Sequence, residues 1–405
     1  MAKVPTVSID DVHAARELLG EVISHTPMEF SGALSARVGA QTYLKCENLQ
    51  RAGSFKIRGA YTRMSRLTPE ERERGVVAAS AGNHAQGVAL AAQLLGIRSK
   101  VYMPVGAPMP KLAATRGYGA EVEQVGTILD ESLVAAEEYA ERTGAILIHP
   151  FDHADIVAGQ GTCGLEILEQ CPDVKTIVVG LGGGGLLAGI AVVVRALRPD
   201  VHIIGVQAEQ AAAYPHSLAV GKPVAVERMT TMADGIAVGL PGEVTFPLVR
   251  DLVDEVVTVS EESLSDATLF LLERAKQVVE PAGAATVAHL MSREAGPLAG
   301  PVVAVLSGGN IDPLLLMRII RHGMAGAGRF LQVAVVAPDA PGALSGLLAE
   351  VAATRANVLD VGHLRTGTNI RVDQVEIDLV LETHNRQHQQ DVLDRLREKG
   401  YEVRA

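Results

Sequence analysis

Up to Leu306, short runs of apolar and β-branched residues alternate with longer stretches rich in Ala and Leu. Two of the longer stretches, Ala85–Leu95 and Leu129–Thr143, have the periodicity of a helix. The short runs predict strands at Thr42–Glu47, Val76–Ala79, Lys100–Met103, Glu121–Val125, Ile146–His149, Thr176–Val179, Val201–Gln207, Glu255–Val259 and Val302–Leu306. Strands that alternate with helices indicate parallel sheet covered by helices on both faces, so we expect an α/β fold.

The pattern changes at Gly323–Gly328, a glycine-rich segment that predicts a flexible linker over residues 323–329. The residues beyond it predict, in order, a strand, a helix, two strands, a helix and a strand: Phe330–Asp339, Ala340–Arg355, Asn357–Arg365, Ile370–Glu382, Arg386–Lys399 and Tyr401–Arg404. This β-α-β-β-α-β order is that of the ferredoxin-like fold. We therefore expect an α/β body over residues 1–322 and a small ferredoxin-like domain over residues 330–405.

The composition narrows the class of protein. The chain has 405 residues, 48% of them hydrophobic and 3% aromatic, and its 36 Lys and Arg against 47 Asp and Glu give a net charge of −11. This apolar content excludes a disordered chain, and an acidic balance without a basic cluster argues against nucleic acid as a partner. Cys46, Cys163 and Cys171 lack the spacing of a disulfide framework or a zinc site, which favours a reducing, cytoplasmic location.

One segment, Thr176–Val194, carries no charge and is long enough to cross a bilayer. Its four consecutive glycines, Gly182–Gly185, argue against a continuous helix, because each disfavours a helix by about 1 kcal/mol relative to alanine. We therefore predict a strand, a glycine turn and a helix here, and we expect no membrane partner.

Lys56 is the first candidate for chemistry. It lies in the segment Gly53–Ala60 (GSFKIRGA), directly between Phe55 and Ile57. An apolar pocket disfavours the charged ammonium and leaves the amine free to act as a nucleophile or base. The alternative is a lysine that extends its ammonium to solvent beside a packed helix.

Two further segments predict anion sites where a strand turns into a helix. Ser80–Gly87 (SAGNHAQG) follows the strand Val76–Ala79, and the helix start would offer unpaired backbone amides to a carboxylate or phosphate. The alternative is that Asn83 caps the helix. Gly182–Leu186 (GGGGL) follows the strand Thr176–Val179 and would let the backbone close on a phosphate.

The glycine segment also permits a dinucleotide site. Gly180-x-Gly182-x-x-Gly185 fits the dinucleotide fingerprint, with Glu209 as the ribose-binding acid. The interval from Gly180 to Glu209 exceeds the expected spacing of about 20 residues. A glycine turn that serves packing alone is the remaining alternative.

The fourth candidate segment is Ser307–Asn310 (SGGN), which follows the strand Val302–Leu306. Ligands of parallel sheets bind at the carboxyl ends of the strands. Glu280–Gly283 begins another helix with small residues that would let a ligand approach. An amine, a phosphate loop, an anion-binding helix start and a strand-end serine are together the parts of a pyridoxal phosphate site.

These four motifs, in this order, resemble the threonine/serine dehydratase family of fold type II pyridoxal phosphate enzymes. The resemblance covers roughly residues 5–322 and rests most strongly on SFKIRGA and SAGNHAQG. It implies two α/β subdomains with parallel sheets, the smaller one, roughly residues 45–150, inserted in the larger.

The resemblance also implies a role for each matched residue. Lys56 would carry the cofactor covalently, with Phe55 beside it, and Asn83 would hydrogen-bond the hydroxyl of the cofactor ring. Ser307 would contact the ring nitrogen, where a serine gives a weaker electron sink than an aspartate would. The phosphate would be held by backbone amides of Gly182, Gly183, Gly184, Gly185 and Leu186. The substrate carboxylate would be bound by the backbone of Ser80, Ala81, Gly82, Asn83 and His84.

The reaction that the resemblance implies is elimination of water from a hydroxy amino acid, with Lys56 abstracting the Cα proton. We expect L-threonine as the main substrate and L-serine as a second one, giving 2-oxobutanoate or pyruvate and ammonia. This reaction would be the first step of isoleucine biosynthesis. The alternatives within the family are a serine or 3-hydroxyaspartate dehydratase and a racemase.

Two departures from related sequences bear on these alternatives. Racemases of the family have a serine where this chain has Ala81, and that serine donates a proton on the opposite face, so elimination is favoured here. Glu209 and Ala213 match a divalent-cation loop of some relatives, but Pro215 stands where those have aspartate, so we expect no metal site.

The C-terminal segment resembles a single ACT domain. The resemblance implies an amino-acid effector between paired domains, bound by Asp339, Gly342, Leu344 and Asn357. We expect a homodimer or homotetramer, because ACT domains pair and symmetric assemblies are common. A dimerisation domain without a ligand is the alternative.

Two functions from other classes would each account for part of the sequence. A nicotinamide dehydrogenase would use Gly180–Gly185 and Glu209 but would leave Lys56 and the SAGNH segment unexplained. A non-catalytic amino-acid sensor would keep the ACT domain and let the site decay, although every site residue is present.

Overall fold

The computed structural model describes residues 7–226, 228–292, 296–365 and 371–404. The chain divides into two compact units, Met1–Asp312 and Pro313–Ala405. The first residues of the predicted body, the last residue of the predicted small domain and Ile370, where a strand was predicted to begin, lie outside the described residues.

The first unit contains two sheets. The larger has the strand order β1-β2-β10-β7-β8-β9, all parallel except the antiparallel pair β1 and β2. Its strands are β1 Met28–Phe30, β2 Thr42–Lys45, β7 Thr176–Gly180, β8 His202–Ala208, β9 Glu255–Val259 and β10 Val302–Val305. The smaller sheet is parallel, with the order β5-β4-β3-β6, from β3 Val76–Ala79, β4 Ser99–Met103, β5 Glu121–Gln124 and β6 Ile146–Leu147.

Helices connect and cover these strands. They are α1 Ile9–Leu19, α2 Gly32–Val38, α3 Lys56–Ser65, α4 Pro69–Arg74, α5 Asn83–Leu95, α6 Met109–Gly117, α7 Leu129–Thr143, α8 Ala154–Gln170, α9 Gly185–Leu197, α10 Ala213–Val220, α11 Thr245–Leu252, α12 Glu261–Phe270 and α13 Pro281–Met291. Every residue of β7 and β10 is buried, as expected of strands in a sheet that helices cover on both faces.

The nine predicted strands are all present, and the smaller sheet lies within the predicted subdomain of residues 45–150. The charge-free segment Thr176–Val194 forms β7, a glycine turn and part of α9, as predicted. In the part of the chain that the structure describes, no helix has the length and apolar character needed to cross a membrane.

Buried charges attach α3 to its neighbours. The Arg58 guanidinium, fully buried, lies 2.7 Å from a carboxylate oxygen of Glu47 and 2.7 Å from one of Glu166 on α8. The ammonium of Lys45, at the end of β2, lies 2.5 Å from the other oxygen of Glu166. Because buried charges are tolerated only with such partners, this network fixes the position of α3, the helix that begins at Lys56.

The second unit begins with α14 Pro313–Gly326 and continues with β11 Phe330–Pro338, α15 Ala343–Ala353, β12 Asn357–Leu364, β13 Gln374–Glu382, α16 Arg386–Glu398 and β14 Glu402–Arg404. The strands form an antiparallel sheet in the order β12-β13-β11-β14, which is the predicted ferredoxin-like topology. Alternate residues of β13 are buried: Val375, Ile377, Leu379 and Leu381.

The expected linker at 323–329 is wrong for most of its length. Helix α14 continues through Gly323 to Gly326, and the division between units falls at Asp312, ten residues before the predicted end of the body at 322. The apolar residues that precede the glycines, such as Leu316 and Ile319, give α14 its periodicity. Glycines near the end of a helix weaken it by only about 1 kcal/mol each and need not end it.

Candidate active site

Lys56 begins α3, directly after a strained turn. Ala52 and Gly53 both have left-handed backbones, with φ of 59° and 70°, and such strain in a residue with a side chain is typical of functional sites. The Lys56 amine donates a hydrogen bond to the carbonyl oxygen of Pro150 at 3.0 Å and lies 5.1 Å from the centre of the Phe55 ring. Lys56 therefore points into the protein, and the alternative of an ammonium extended to solvent is wrong.

Burial lowers the pKa of Lys56 to about 8, against an opposing effect of the Glu280 carboxylate. The side chain is partly accessible, so the low pKa reflects protein around the amine rather than complete enclosure. At neutral pH an amine of this kind is free in a far larger fraction of molecules than an ordinary lysine.

Ser307, at the carboxyl end of β10, lies beside the lysine segment. Its carbonyl oxygen accepts from the Phe55 amide at 3.2 Å, and Ser54 and Gly308 form an isolated antiparallel bridge. The first and fourth predicted motifs therefore run side by side through backbone hydrogen bonds. Ser307 is buried, and its contact with a cofactor ring stays a prediction.

Asn83 is the first residue of α5, and its side chain does not cap that helix. Instead its Nδ2 donates to Glu280 Oε1 at 2.5 Å, and its Oδ1 accepts from Asn310 Nδ2 at 2.8 Å. The capping alternative is therefore wrong. The SAGNH and SGGN segments meet at Asn83 and Asn310, and Glu280 joins them.

The turn Ser80–His84 connects β3 to α5. Ser80 is buried, and its hydroxyl accepts from the Gly82 amide at 3.1 Å, so one of the proposed carboxylate donors has a partner within the turn. His84 Nε2 lies 2.7 Å from the carbonyl oxygen of Ile148, and burial lowers the pKa of His84 to about 3. The imidazole is therefore neutral, and its Nε2 is the donor, because a carbonyl can only accept.

The glycine segment forms the turn between β7 and α9, with Gly184 as the N-cap residue at a φ of 97°. The cap has no side chain, so no side chain occupies the first amides of α9. A Cβ on Gly183 would overlap the ring of Phe151, and one on Gly184 would overlap the hydroxyl of Tyr214. Only glycine fits here, which leaves a backbone-lined cradle at a helix N-terminus, where anions bind.

Three residues that the sequence did not single out support this cradle. Thr245 Oγ1 donates to the carbonyl oxygen of Gly183 at 2.6 Å, and the Tyr214 hydroxyl does so at 3.2 Å. The carboxylate of Asp152 accepts from the backbone amides of Glu243 and Val244, at 2.9 and 2.7 Å, beside Thr245. The sequence around each of these residues gives no sign of this role, because only the fold brings residues 152, 214 and 245 together.

A fourth unpredicted feature is an ion pair next to the turn. Lys111 Nζ on α6 lies 2.5 Å from Asp234 Oδ2, and it is also the nearest side chain to Gly82. Lys111 is buried, whereas half of the Asp234 side chain is exposed. The pair connects α6, which lies between β4 and β5 of the smaller sheet, to a segment that follows β8.

The residues present fit pyridoxal phosphate. A nucleophilic lysine, a glycine cradle for a phosphate and a fixed asparagine amide surround one region through the contacts above. Two buried polar atoms there, Ser54 Oγ and Glu280 Oε2, have no hydrogen-bond partner within the described residues, as expected where a polar ligand supplies one.

Other predicted positions lie elsewhere. Glu209 is exposed at the start of a short turn after β8, while Ala213 is buried at the start of α10. Among the described residues, no three His, Cys, Asp or Glu side chains come together in a way that could hold a metal ion.

The candidate effector residues fall at two ends of the small sheet. Asp339 follows β11, Gly342 is the N-cap of α15 with a φ of 90°, and Leu344 is packed in the small core. Asn357 pairs with Glu382, which pairs with Phe330 at the other end of β11. Eight residues of strand separate the two ends, about 27 Å, so one copy of the domain does not bring these residues together.

The chain is similar to several known proteins along most of its length. Residues 20–308 match the family described as pyridoxal-phosphate dependent enzyme. The L-threonine ammonia-lyase of Thermotoga maritima is 47% identical over 399 residues, which cover 98% of this chain and 99% of that protein. Two solved structures are similar. One is the processed form of threonine deaminase isoform 2 from Solanum lycopersicum, with 37% identity and a TM-score of 0.73 over 78% of this chain and 94% of that one. The other is maize serine racemase, with 34% identity and a TM-score of 0.74 over 80% and 99%.

The glycine segment Gly180–Gly185, which also suggested a nicotinamide dehydrogenase, lies inside the matched residues, so that alternative is wrong. The resemblance of the four motifs is confirmed, and the chain belongs to the family of pyridoxal-phosphate dependent enzymes.

Proposed function

We propose that the protein is an L-threonine ammonia-lyase, which converts L-threonine to 2-oxobutanoate and ammonia and acts on L-serine as a second substrate. The observation that carries this proposal is the similarity to the Thermotoga maritima L-threonine ammonia-lyase over 98% of the chain, including the C-terminal unit. The contacts that join Lys56 to the other motifs support it.

When bound, pyridoxal phosphate supplies an electron sink for the negative charge that develops at the substrate Cα. Lys56 supplies the base: its free amine accepts the Cα proton at Nζ. Burial favours this role, because it lowers the pKa of Lys56 to about 8 and so keeps a useful fraction of the amine uncharged. Loss of the β-hydroxyl as water and later uptake of water balance the reaction to one oxo acid and one ammonia.

The turn Ser80–His84 supplies the site for the substrate carboxylate in this proposal. It includes the first residues of α5, whose N-terminus carries partial positive charge and whose cap residue, Gly82, offers no side chain. The nearby ammonium of Lys111 adds positive charge on the same side, although its pairing with Asp234 offsets part of this.

Ala81 favours elimination over racemisation. Inversion at Cα needs a proton donor on the face opposite Lys56, and a methyl side chain at residue 81 cannot donate one. This residue separates the proposal from a serine racemase, whose fold the chain shares.

The test is to measure 2-oxo acid release from L-threonine, L-serine and 3-hydroxyaspartate by the purified protein, together with D-serine formation. We expect threonine to be preferred over serine by roughly ten- to a hundredfold, the value of one methyl group in a fitted pocket. Lys56→Ala should abolish release. A larger kcat/KM for serine or 3-hydroxyaspartate, or net racemisation, would replace the proposal by the matching alternative.

We also propose that the C-terminal unit is an ACT regulatory domain in a homodimer or homotetramer, and that the enzyme serves isoleucine biosynthesis in the cytoplasm. The ferredoxin-like topology supports the first part, and the separation of Asp339 from Asn357 in one chain favours an effector bound between two copies. Threonine turnover measured with and without isoleucine or valine tests it. A monomeric protein whose threonine kinetics do not change when isoleucine or valine is added would contradict the proposal of a regulatory domain.

A further inference from the structure

Glu280 occupies the N-cap position of α13 without capping it. It is buried, and its amide donates to the carbonyl oxygen of Gly308 at 3.1 Å. An N-cap side chain normally accepts from the first amides of its own helix. The Glu280 side chain instead turns to Asn83, 197 residues away in the sequence.

The direction of every hydrogen bond around Asn83 is fixed by one backbone carbonyl. The carbonyl oxygen of Ala52 can only accept, so the atom of Asn310 that faces it at 2.8 Å is the donor Nδ2. That same Nδ2 lies 2.8 Å from Asn83, so the Asn83 atom there is the acceptor Oδ1. Asn83 Nδ2 therefore faces Glu280 Oε1, which must accept.

This order has two consequences. One N–H of Asn83 is engaged by Glu280, so the second N–H is what Asn83 offers to a ligand, and the ligand atom must be an acceptor. Any proton on the Glu280 carboxyl must lie on Oε2, which is buried and has no partner among the described residues.

The surroundings leave space for a carboxyl group at this position. A Cβ on Gly308 would overlap Glu280 Oε1 and approach Asn83 Nδ2 to 3.0 Å. Glycine at residue 308 therefore allows Glu280 and Asn83 to approach each other.

Three charged side chains from three other segments face Glu280. Burial is the main cause that raises the pKa of Glu280 to about 7. Asp234, after β8, raises this pKa further, whereas Lys111 on α6 and Lys56 on α3 lower it. The carboxyl is therefore poised between its two protonation states near neutral pH.

We infer that Glu280 is a positioning residue for the cofactor: it holds the Asn83 amide so that one N–H points to an anionic acceptor of the bound cofactor, and it does so best with a proton on Oε2. A charged Glu280 would place a second negative charge close to that acceptor. Glutamine is the isostere of the protonated form, with an oxygen for Asn83 and an NH₂ in place of the protonated Oε2.

The inference rests on the cofactor site of the proposed function but not on its substrate. The test uses holoenzyme alone, diluted at a series of pH values, with the free and bound cofactor measured by absorbance. The variants are Glu280→Gln, Glu280→Ala and, as a control with the same change of charge on the exposed face of α7, Glu137→Gln.

We expect Glu280→Ala to weaken cofactor binding roughly tenfold or more, because the Asn83 amide loses the partner that orients it. Glu280→Gln should bind within about threefold of wild type at pH 6. Relative to this variant, the wild type should lose affinity as the pH rises from 6 to 8, by up to about tenfold per pH unit above its pKa. Glu137→Gln should follow the wild type throughout.

Two results would overturn the inference. One is a Glu280→Gln variant that binds as weakly as Glu280→Ala, because a neutral acceptor in the same position should suffice. The other is identical pH dependence in the wild type and Glu280→Gln. Both readouts are obtained without substrate, so a failure of the threonine assay leaves them interpretable.

Discussion

The amine of Lys56 lies 3.0 Å from the carbonyl oxygen of Pro150, and the next residue, Phe151, fills the space beside Gly183. One short segment between β6 and α8 therefore sets the position of the lysine and the shape of the glycine cradle together. Asp152, the following residue, extends the same arrangement to the start of α11. The lysine and the cradle therefore contact the same short segment, although they are more than a hundred residues apart in the sequence.

This linkage predicts that Gly183→Ala impairs cofactor binding. The added methyl would overlap the Phe151 ring, and relief of such overpacking costs about 1–3 kcal/mol, or roughly five- to a hundredfold in affinity. Cofactor retention on dilution, followed by absorbance, measures the effect. Gly106→Ala is the control, because a Cβ there meets nothing within 4 Å. Equal retention by both variants would contradict the packing argument.

The pKa of Lys56 predicts how cofactor attachment depends on pH. Only the uncharged amine attacks a carbonyl, so the rate at which cofactor-depleted protein recombines with pyridoxal phosphate should rise with pH and level off above about 8, where burial places the pKa. A lysine with an ordinary pKa would give a rate that still rises near pH 10. The appearance of the yellow bound form in stopped flow provides the measurement.

The sequence predicted strands such as β3, β7 and β10 because they lie in parallel sheet with every residue buried, where a run of apolar and β-branched residues between turns is the direct consequence of burial on both faces. The strand β1 was not predicted: Met28–Phe30 is too short to show an alternation. The linker prediction failed because glycines near the end of a helix do not have to end it, and the apolar periodicity of α14 continues through Gly323.

Some residues of the candidate site could likewise be predicted from the sequence, and others could not. Lys56, Asn83, the glycine cradle and Ser307 belong to contiguous motifs, and a motif can be recognised in one sequence. Other residues contact these motifs only in the folded protein, and the sequence around them does not indicate a site: Phe151, Tyr214, Thr245 and Lys111. Glu280 stood in a segment noted only for its small residues, and its contact with Asn83 required the fold.

The buried network on α3 predicts a large loss of stability for Arg58→Ala. Removal of Arg58 leaves Glu47 and part of Glu166 buried without their partner, which typically destabilises a protein by about 3–5 kcal/mol. Arg16→Ala is the matched control, because Arg16 and its partner Glu169 are about half exposed and such pairs contribute about 0–1 kcal/mol. The stability loss of each variant is measured as the shift of its urea unfolding midpoint from that of the wild type. A shift for Arg58→Ala no larger than that for Arg16→Ala would show that the network relaxes or takes up water.

Residue 81 provides the sharpest test of reaction specificity. Ala81→Ser places a hydroxyl in the turn between Ser80 and Gly82, where the family resemblance puts the proton donor of racemases. We expect the variant to form D-serine from L-serine at a rate above that of the wild type, while 2-oxo acid release continues, because Lys56 still removes the Cα proton. Chiral chromatography of the products, alongside an oxo acid assay, separates the two outcomes.

The control for this variant is Ala81→Val, which adds bulk at the same position but has no proton to donate. If the hydroxyl acts as a proton donor, the serine variant should exceed the valine variant in D-serine formation at equal rates of elimination. Equal racemisation by the two would assign the effect to the shape of the turn, and no racemisation by either would mean that a donor at residue 81 is not sufficient. In that case the preference for elimination must come from how the rest of the site, including Asn83 and Glu280, controls the charge on the cofactor.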